Sequence, residues 1–333
     1  MVASHAVKLA VNRHNGPMVT KVLVPRTVPG ELPELPGFEI ARYPSRGPVP
    51  SEHRDAEALL VWGSRGEALR EIVASLDRLR WVQTLAAGPD AVLDAGLADG
   101  VLVTSGRGLH DGPVAEHALA LTLAAMRRLD RTLEAQAARS WQPRLDRESD
   151  PENPRTDPFT LDGARVLIWG FGSIASRLAP LYAALGAEVT GVATTAGERH
   201  GFRVVAREDI QTELGRTDVL VMILPSLPAT HHALDARLLA LLPPHAWLVN
   251  VGRGSTVDEA ALDDALRAGR LAGAALDVVE TEPLPASSPL WTAPNVILTP
   301  HVAGNRPLGW QALFVENCRR FRAGEPLRNL VER

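Results

Sequence analysis

The sequence predicts an α/β fold in which helices wrap parallel sheets and two domains share the chain. Three observations predict it. The 333 residues exceed the length at which one hydrophobic core usually stops growing, about 250–300 residues. Short runs rich in valine and leucine recur along the whole chain. Helical segments lie between these runs, and such alternation is typical of parallel sheets.

The predicted strands are short apolar runs of the kind found in buried parallel sheets. They include residues 19–24, 58–62, 101–104, 166–169, 219–224 and 247–251. The predicted helices include residues 173–185, 257–268 and 307–323. Together these elements place the chain in the α/β class.

Three other segments have an unusual composition. Residues 114–126, VAEHALALTLAAM, are apolar on nearly every face, which a helix tolerates only where all its sides are buried, for example at a subunit interface. Residues 142–158 are rich in proline and charge and are predicted to form a long exposed loop. Residues 1–17 carry bases but no acid and lack the apolar core of a secretory signal, so we interpret them as an unstructured extension.

Composition excludes several classes of function. The formal charge of -4 and the absence of a long basic or acidic run argue against nucleic-acid and membrane partners. No apolar stretch approaches the roughly 20 residues that a transmembrane helix needs. The single cysteine, Cys318, cannot form an internal disulfide and excludes a thiolate metal cluster. This cysteine content favours a reducing, cytoplasmic location, and we expect no metal centre in the protein.

Residues 165–175, RVLIWGFGSIA, carry a dinucleotide-binding fingerprint. A buried strand leads into Gly170, Gly172 and Ala175, and a helix and a second strand follow, which is the context the fingerprint requires. The first glycine permits a tight turn and the second lets the backbone approach a pyrophosphate, while alanine still allows close packing of helix and strand. The N–H groups of Ser173 and Ile174 open the helix and can donate to phosphates.

The end of the second strand bears on the choice of coenzyme. An Asp or Glu there would bind the ribose diol of NAD, but the position is occupied by Ala193, followed by Thr194 and Thr195. These two hydroxyls and the nearby Arg199 are able to accept a 2′-phosphate. The sequence therefore favours NADP(H), with NAD(H) left as the alternative.

Three downstream segments carry a family resemblance. Residues 248–258 read LVNVGRGSTVD, residues 271–285 read LAGAALDVVETEPLP, and residues 299–304 read TPHVAG. In this order and with the glycine fingerprint, the chain resembles the D-isomer-specific 2-hydroxyacid dehydrogenase family over nearly its whole length. The resemblance implies an NAD(P)-dependent oxidoreductase that interconverts a small 2-oxo acid and its D-2-hydroxy acid, for example a glyoxylate or hydroxypyruvate reductase.

The resemblance places the catalytic residues at Arg253, Glu282 and His301. Their chemistry agrees, because a planar guanidinium can engage both the carboxylate and the ketone of a 2-oxo acid. His301 is suited to protonate the nascent alkoxide, and Glu282 to orient its ring. Taken singly, each residue also has a structural interpretation: a loop tether, a turn cap and a buried histidine.

Further roles follow from the resemblance alone. The cofactor would contact Pro225, Thr230, Val251, Gly252, Asp277 and Gly304, with Asp277 holding the nicotinamide carboxamide. The substrate carboxylate would accept hydrogen bonds from the backbone N–H groups of Ala86, Ala87 and Gly88. Trp62 and Trp141 are candidates to shape the substrate pocket, although large aromatic residues more often belong to cores and interfaces.

The family architecture implies two Rossmann- and flavodoxin-like domains, with the cofactor domain inserted into the substrate domain. The predicted dinucleotide-binding domain covers residues 112–301. Residues 18–111 and 302–333 form the predicted substrate-binding domain, because a helix follows the catalytic histidine. A homodimer through residues 114–126 is the family expectation.

Two other functions remain open at this stage. Formate oxidation uses a related architecture, but those enzymes have glutamine in place of Glu282, since their reaction needs no proton relay. A cofactor-sensing protein of the corepressor type is able to retain all three catalytic residues. Only turnover separates such a sensor from an enzyme.

Overall fold

The computed structural model describes residues 19–28, 30–141 and 160–332. Within these residues the chain forms two compact units. Unit 1 contains the chain up to His110 and from Arg306 onward, and unit 2 contains Asp111–Asn305. The predictions for residues 1–17 and 142–158 lie outside the described residues.

The elements are numbered in chain order. The strands are β1 (Thr20–Pro25), β2 (Phe38–Tyr43), β3 (Ala58–Val61), β4 (Trp81–Thr84), β5 (Leu102–Thr104), β6 (Arg165–Trp169), β7 (Glu188–Ala193), β8 (Gly197–Arg199), β9 (Phe202–Ala206), β10 (Val219–Met222), β11 (Trp247–Asn250), β12 (Gly273–Leu276) and β13 (Val296–Leu298). The helices are α1 (Gly66–Ala74), α2 (Asp90–Leu93), α3 (Asp111–Met126), α4 (Leu129–Ala137), α5 (Ser173–Ala184), α6 (Gln211–Leu214), α7 (Ala236–Leu239), α8 (Glu259–Arg267) and α9 (Trp310–Ala323).

Unit 1 is built on a parallel sheet in the order β2-β1-β3-β4-β5. Two of its central strands contain buried apolar runs, VLVP in β1 and ALLV in β3. From the C-terminal part of the chain, α9 supplies Trp310 and Phe314 to the same core as Trp81 of β4. The Trp81 and Phe314 rings stack with centroids 5.6 Å apart.

Unit 2 is built on a sheet in the order β13-β12-β11-β10-β6-β7-β9-β8. Every neighbouring pair is parallel except β8 and β9, which form an antiparallel pair at one edge. The central strands are buried along their whole length, which explains their continuous apolar sequences. Core clusters pack on both faces of this sheet.

The predicted α/β class with parallel sheets is confirmed. The strands predicted from apolar runs correspond to β1, β3, β5, β6, β10 and β11 within two residues. The last helix begins at Trp310 rather than at residue 307, because Gly309 precedes it in a left-handed conformation with φ 76°. Residues 302–305, assigned from the sequence to the substrate domain, group with unit 2, since Val302 and Ala303 donate backbone hydrogen bonds to Asp277.

The apolar helix α3 lies within unit 2. Its buried side chains, among them Ala118, Leu121 and Ala125, join the core cluster that contains residues of α5 and the central strands. Glu116 and Ala120 are exposed. The fold of unit 2 therefore covers most of the surface that the sequence analysis assigned to a subunit interface. Across the described ranges, no helix combines the length and apolar character needed to cross a membrane.

Candidate active site

The predicted catalytic segments follow neighbouring strands of the unit 2 sheet. Arg253 follows β11, Glu282 follows β12 and His301 follows β13, and these three strands are adjacent and parallel. The cofactor turn follows β6, on the same side of the sheet beyond β10. Because parallel strands end at one edge, the segments gather there, where open α/β sheets bind ligands.

The cofactor turn joins β6 to α5. Gly170 has φ 102°, and an added Cβ would lie 2.6 Å from the carbonyl oxygen of Ile223. Gly172 is the N-cap of α5, and an added Cβ would meet nothing within 4 Å. Ala175 is fully buried where α5 packs on the sheet. The first glycine is therefore required by the fold, whereas the second leaves open space beside a helix N-terminus, which fits a bound pyrophosphate.

Arg199 lies beside this turn on the short strand β8. Its guanidinium donates to the Phe171 carbonyl oxygen at 3.2 Å and to the Thr195 hydroxyl at 3.0 Å. Thr194 and Thr195 follow Ala193 and are both exposed. A positive charge is thus fixed at the end of β7, where a carboxylate would select NAD.

Arg253 is presented by a turn that Asn250 organises. The Asn250 side chain accepts a hydrogen bond from Gly252 N at 3.1 Å and donates to the Arg253 carbonyl oxygen at 3.1 Å. The Thr256 hydroxyl donates to the same carbonyl at 2.6 Å. No sequence signal marks Asn250, which is 1% exposed, because its role depends on folded contacts within the turn.

Glu282 and His301 form a hydrogen-bonded pair. Glu282 Oε2 lies 2.7 Å from His301 Nδ1, and the two side chains are 25% and 37% exposed. An ionised carboxylate only accepts, so Nδ1 carries the proton and Nε2 is the nitrogen left for exchange with a substrate. This arrangement is the one a histidine general acid–base requires.

The loop that carries His301 is anchored by Asp277. The Asp277 carboxylate accepts from the Thr299 hydroxyl at 2.6 Å, from Val302 N at 2.9 Å and from Ala303 N at 3.0 Å. The residue is 2% exposed. These contacts hold His301 with φ 52°, a left-handed conformation uncommon for residues other than glycine.

His117 of α3 completes this network. Its Nε2 lies 3.0 Å from Thr299 Oγ1 and 3.3 Å from Asp277 Oδ1. Because the Thr299 hydroxyl donates to Asp277, it accepts from His117, and Nε2 must therefore carry a proton. No local sequence pattern predicts this role, since 182 residues separate His117 from Thr299.

A second group of charged side chains lies close to Glu282. Glu259 Oε1 accepts from Glu280 N, and the Glu280 carboxylate pairs with His232. Burial raises the pKa of Glu259, and the charges of Glu280 and Glu282 raise it further against the opposing hydrogen bond from Glu280 N. Negative charge is therefore concentrated in this part of unit 2.

The other predicted site residues have varied surroundings. Thr230 Oγ1 donates to the Pro225 carbonyl at 2.6 Å and accepts from Leu227 N at 2.9 Å, so it closes its own loop. Ala86 belongs to unit 1, and its N–H donates to Thr84 Oγ1 at 3.1 Å. Ala87 and Gly88 follow it in the same loop, while Val251 is buried and Gly304 is half-buried in unit 2.

Comparison with known proteins identifies the relatives of this chain. The family model for the D-isomer specific 2-hydroxyacid dehydrogenase NAD binding domain matches residues 119–303. Glyoxylate/hydroxypyruvate reductase A of Serratia proteamaculans is 32% identical over 76% of this chain and 79% of its own length. D-3-phosphoglycerate dehydrogenase of Mycobacterium leprae is 35% identical over 75% of this chain, which spans 46% of that longer protein.

Comparison with solved structures also finds a similar reductase. The NADPH-dependent glyoxylate/hydroxypyruvate reductase of Sinorhizobium meliloti, solved in complex with NADP and sulfate, has a TM-score of 0.75 and 26% sequence identity. The match covers 94% of this chain and 98% of that one.

Proposed function

Since the chain belongs to the D-isomer specific 2-hydroxyacid dehydrogenase family of NAD(P)-dependent oxidoreductases, we propose that it reduces a small 2-oxo acid of the glyoxylate or hydroxypyruvate type to the D-2-hydroxy acid. The observation that carries the proposal is the 2.7 Å contact between Glu282 Oε2 and His301 Nδ1. It supports a proton donor at the carboxyl edge of the sheet, where a carbonyl reduction needs one.

The proposed roles follow from the chemistry of a 2-oxo acid. Arg253 binds the substrate carboxylate and polarises the ketone through its planar fork of donors. His301 Nε2 gives its proton to the ketone oxygen, and Glu282 holds the ring and stabilises the imidazolium. When bound, the nicotinamide coenzyme supplies the hydride that reduces C2. In the oxidative direction neutral His301 takes the hydroxyl proton.

The proposed coenzyme is NADP(H). Gly170, Gly172, Ser173, Ile174 and Ala175 would hold the pyrophosphate. The 2′-phosphate would be bound at the end of β7, where Arg199 is fixed and Ala193 occupies the position of the carboxylate that selects NAD. The use of NADP by the Sinorhizobium meliloti reductase supports this preference.

A homodimer in a reducing compartment such as the cytoplasm completes the proposal. Next to α3 in the chain, α4 presents Leu129 at 46% and Leu133 at 62% exposure, and apolar side chains of this size favour a covered surface. Cys318 is buried and burial raises its thiol pKa to about 12, so it is inert and suits that compartment. The molar mass in solution, by light scattering, tests the dimer.

The activity is tested by following NADPH and NADH oxidation at 340 nm. The substrates are glyoxylate, hydroxypyruvate, pyruvate and phenylpyruvate, and the proteins are the wild type and His301→Ala. We expect turnover with a small 2-oxo acid and a loss of at least about a hundredfold in the variant, the size of a general-acid contribution. Binding of nucleotide without reduction of any substrate would overturn the proposal in favour of a cofactor sensor.

A further inference from the structure

Two histidines and a glutamate cluster at the surface of unit 2, next to the Glu282 segment. One ring nitrogen each of His231 and His232 and one carboxylate oxygen of Glu280 all lie within 4.8 Å of one another. The two imidazole rings stack with centroids 4.1 Å apart and planes 25° from parallel. The cluster joins two chain segments that are 48 residues apart.

The backbone holds both histidines in place. His232 N donates to the Ser255 carbonyl at 2.8 Å, and His231 N donates to the Leu227 carbonyl at 3.1 Å. His232 has φ 46°, a left-handed conformation that histidine adopts uncommonly. The two rings are therefore presented side by side by a fixed turn rather than by a freely moving segment.

Glu280 is held from the other side. Its backbone N donates to Glu259 Oε1, and its carboxylate pairs with His232 Nε2. The Glu282 side chain accepts from the neighbouring Val279 N, so the carboxylates of Glu259 and Glu282 both lie beside the Glu280 segment. The cluster thus combines two imidazole rings, which bind metal ions in their neutral form, with several carboxylates. This combination of ligands and negative charge favours the binding of a cation.

We propose that His231, His232 and Glu280 form a binding site for a divalent transition-metal ion, with Zn²⁺ as the representative probe. Two imidazole nitrogens and one carboxylate oxygen are a ligand set that Zn²⁺ takes in sites that leave the fourth position to water. Softer or purely oxygen-ligated cations are less suited, because the set contains no thiolate and only one carboxylate.

The geometry requires only a small adjustment to bind the ion. Ligands at about 2.0–2.2 Å from Zn²⁺ stand roughly 3.3–3.6 Å apart in a tetrahedron. The three ligand atoms lie within 4.8 Å of one another, so no pair has to approach by more than about 1 Å, while His232 Nε2 and Glu280 Oε1 must move apart to admit the ion. His231 is exposed, and rotation of its side chain provides that movement. The ion would take the place of the proton that His232 and Glu280 share, and would tie residues 226–232 to residues 279–282.

Competition with a chromophoric chelator measures Zn²⁺ binding to the full chain without using enzyme activity. The test variants are His231→Ala, His232→Asn and Glu280→Gln. Asparagine is chosen because it tolerates the left-handed backbone. The matched control is His200→Asn, since His200 is an exposed histidine with φ 53° outside the cluster.

We expect one Zn²⁺ per chain, at least tenfold weaker binding in each test variant and unchanged binding in the control. With Zn²⁺ at a hundredfold excess over its Kd, the melting temperature of the wild type should rise by at least about 3 °C, and His231→Ala should reduce this rise by about half or more. Failure of the wild type to compete with the chelator overturns the proposal. Equal binding by the wild type and His231→Ala also overturns it, because the ion would then sit elsewhere.

Discussion

The backbone N–H of His301 donates to the carbonyl oxygen of Asp277 at 2.8 Å, and the Asp277 side chain binds the next two N–H groups of the loop. The candidate proton donor is therefore positioned by a buried carboxylate 24 residues earlier in the chain. The resemblance assigned Asp277 to the nicotinamide carboxamide. Its two oxygens already accept three hydrogen bonds at 3.0 Å or less, which supports a positioning role.

Replacement of Asp277 by Asn distinguishes the two roles. Asparagine has one acceptor oxygen, so buried N–H donors of the His301 loop lose their partner, at a cost of about 1–3 kcal/mol. We expect a lower melting temperature and a kcat reduced at least tenfold, with the KM for NADPH little changed. A raised KM for NADPH at unchanged stability would contradict positioning and assign Asp277 to the coenzyme.

Glu282 should act through His301. Glu282→Gln keeps a similar shape but removes the charge that stabilises the imidazolium, so we expect kcat to fall by about 10² while the KM for the oxo acid changes little. Residues that act as one unit are not additive. The double variant Glu282→Gln with His301→Ala should therefore be no slower than His301→Ala alone. If the losses of kcat in the two single variants multiplied in the double variant, the two residues would act separately. Glu188→Gln, a substitution at an exposed position on β7, serves as the control.

The parts of the fold that could be predicted from sequence are those with local signals. The β6–turn–α5–β7 unit combines an apolar run, a glycine pattern and a helix within 29 residues, from Arg165 to Ala193. The strand β2, FEIARY, and the β8–β9 pair mix polar and apolar residues, so no period marked them. The strand β12, GAAL, contains no β-branched or aromatic residue, so its sequence lacks the composition typical of a strand.

The site shows the same limit. Arg253, Glu282 and His301 each lie in a short segment whose letters carry the family pattern. The anchoring of the His301 loop by Asp277 and His117 depends on contacts between residues 22 to 182 positions apart. Such contacts exist only after the sheet of unit 2 has formed, so no window of sequence contains them.

Coenzyme choice should depend on Arg199. The guanidinium is fixed against Phe171 and Thr195, and Arg199→Ala removes the positive charge offered to a 2′-phosphate. We expect the KM for NADPH to rise at least tenfold, about 1.4 kcal/mol, with the KM for NADH unchanged. Arg207→Ala, at an exposed position beyond β9, is the control. An equal rise for both coenzymes would mean that Arg199 only supports the turn.

The stability of unit 2 at low pH should depend on Asp218. Burial pushes its pKa upward, but hydrogen bonds from the His245 ring, from Arg165 N and from the Arg165 side chain outweigh burial and hold the pKa below its ordinary value of 3.8. A carboxyl with a lowered pKa contributes stability above its unfolded pKa, and that contribution disappears as the pH falls through the folded pKa.

Urea unfolding between pH 3 and pH 7 tests this contribution. The wild type should keep the Asp218 contribution at pH 5 to 7 and lose it below about pH 4. Asp218→Asn should be less stable at pH 7 by roughly 1–3 kcal/mol and show a shallower decline in acid. Asp209→Asn, an exposed control, should follow the wild type. If the free energies of unfolding of the wild type and Asp218→Asn fell in parallel with pH, Asp218 would not contribute to the loss of stability in acid.

Two glycines two positions apart should respond in opposite ways to a side chain. Gly170→Ala places a Cβ 2.6 Å from the Ile223 carbonyl oxygen on a backbone with φ 102°, so it should cost about 1–3 kcal/mol of stability. Gly172→Ser gives α5 a favoured N-cap residue at a position with open space. Its stability should match or exceed the wild type, while its Kd for NADPH rises at least tenfold, because the side chain occupies the space proposed for the pyrophosphate.

Thermal melting and fluorescence titration with NADPH measure the two effects. Unchanged NADPH affinity in Gly172→Ser would mean that the phosphates lie away from the α5 N-terminus, whatever the outcome at Gly170.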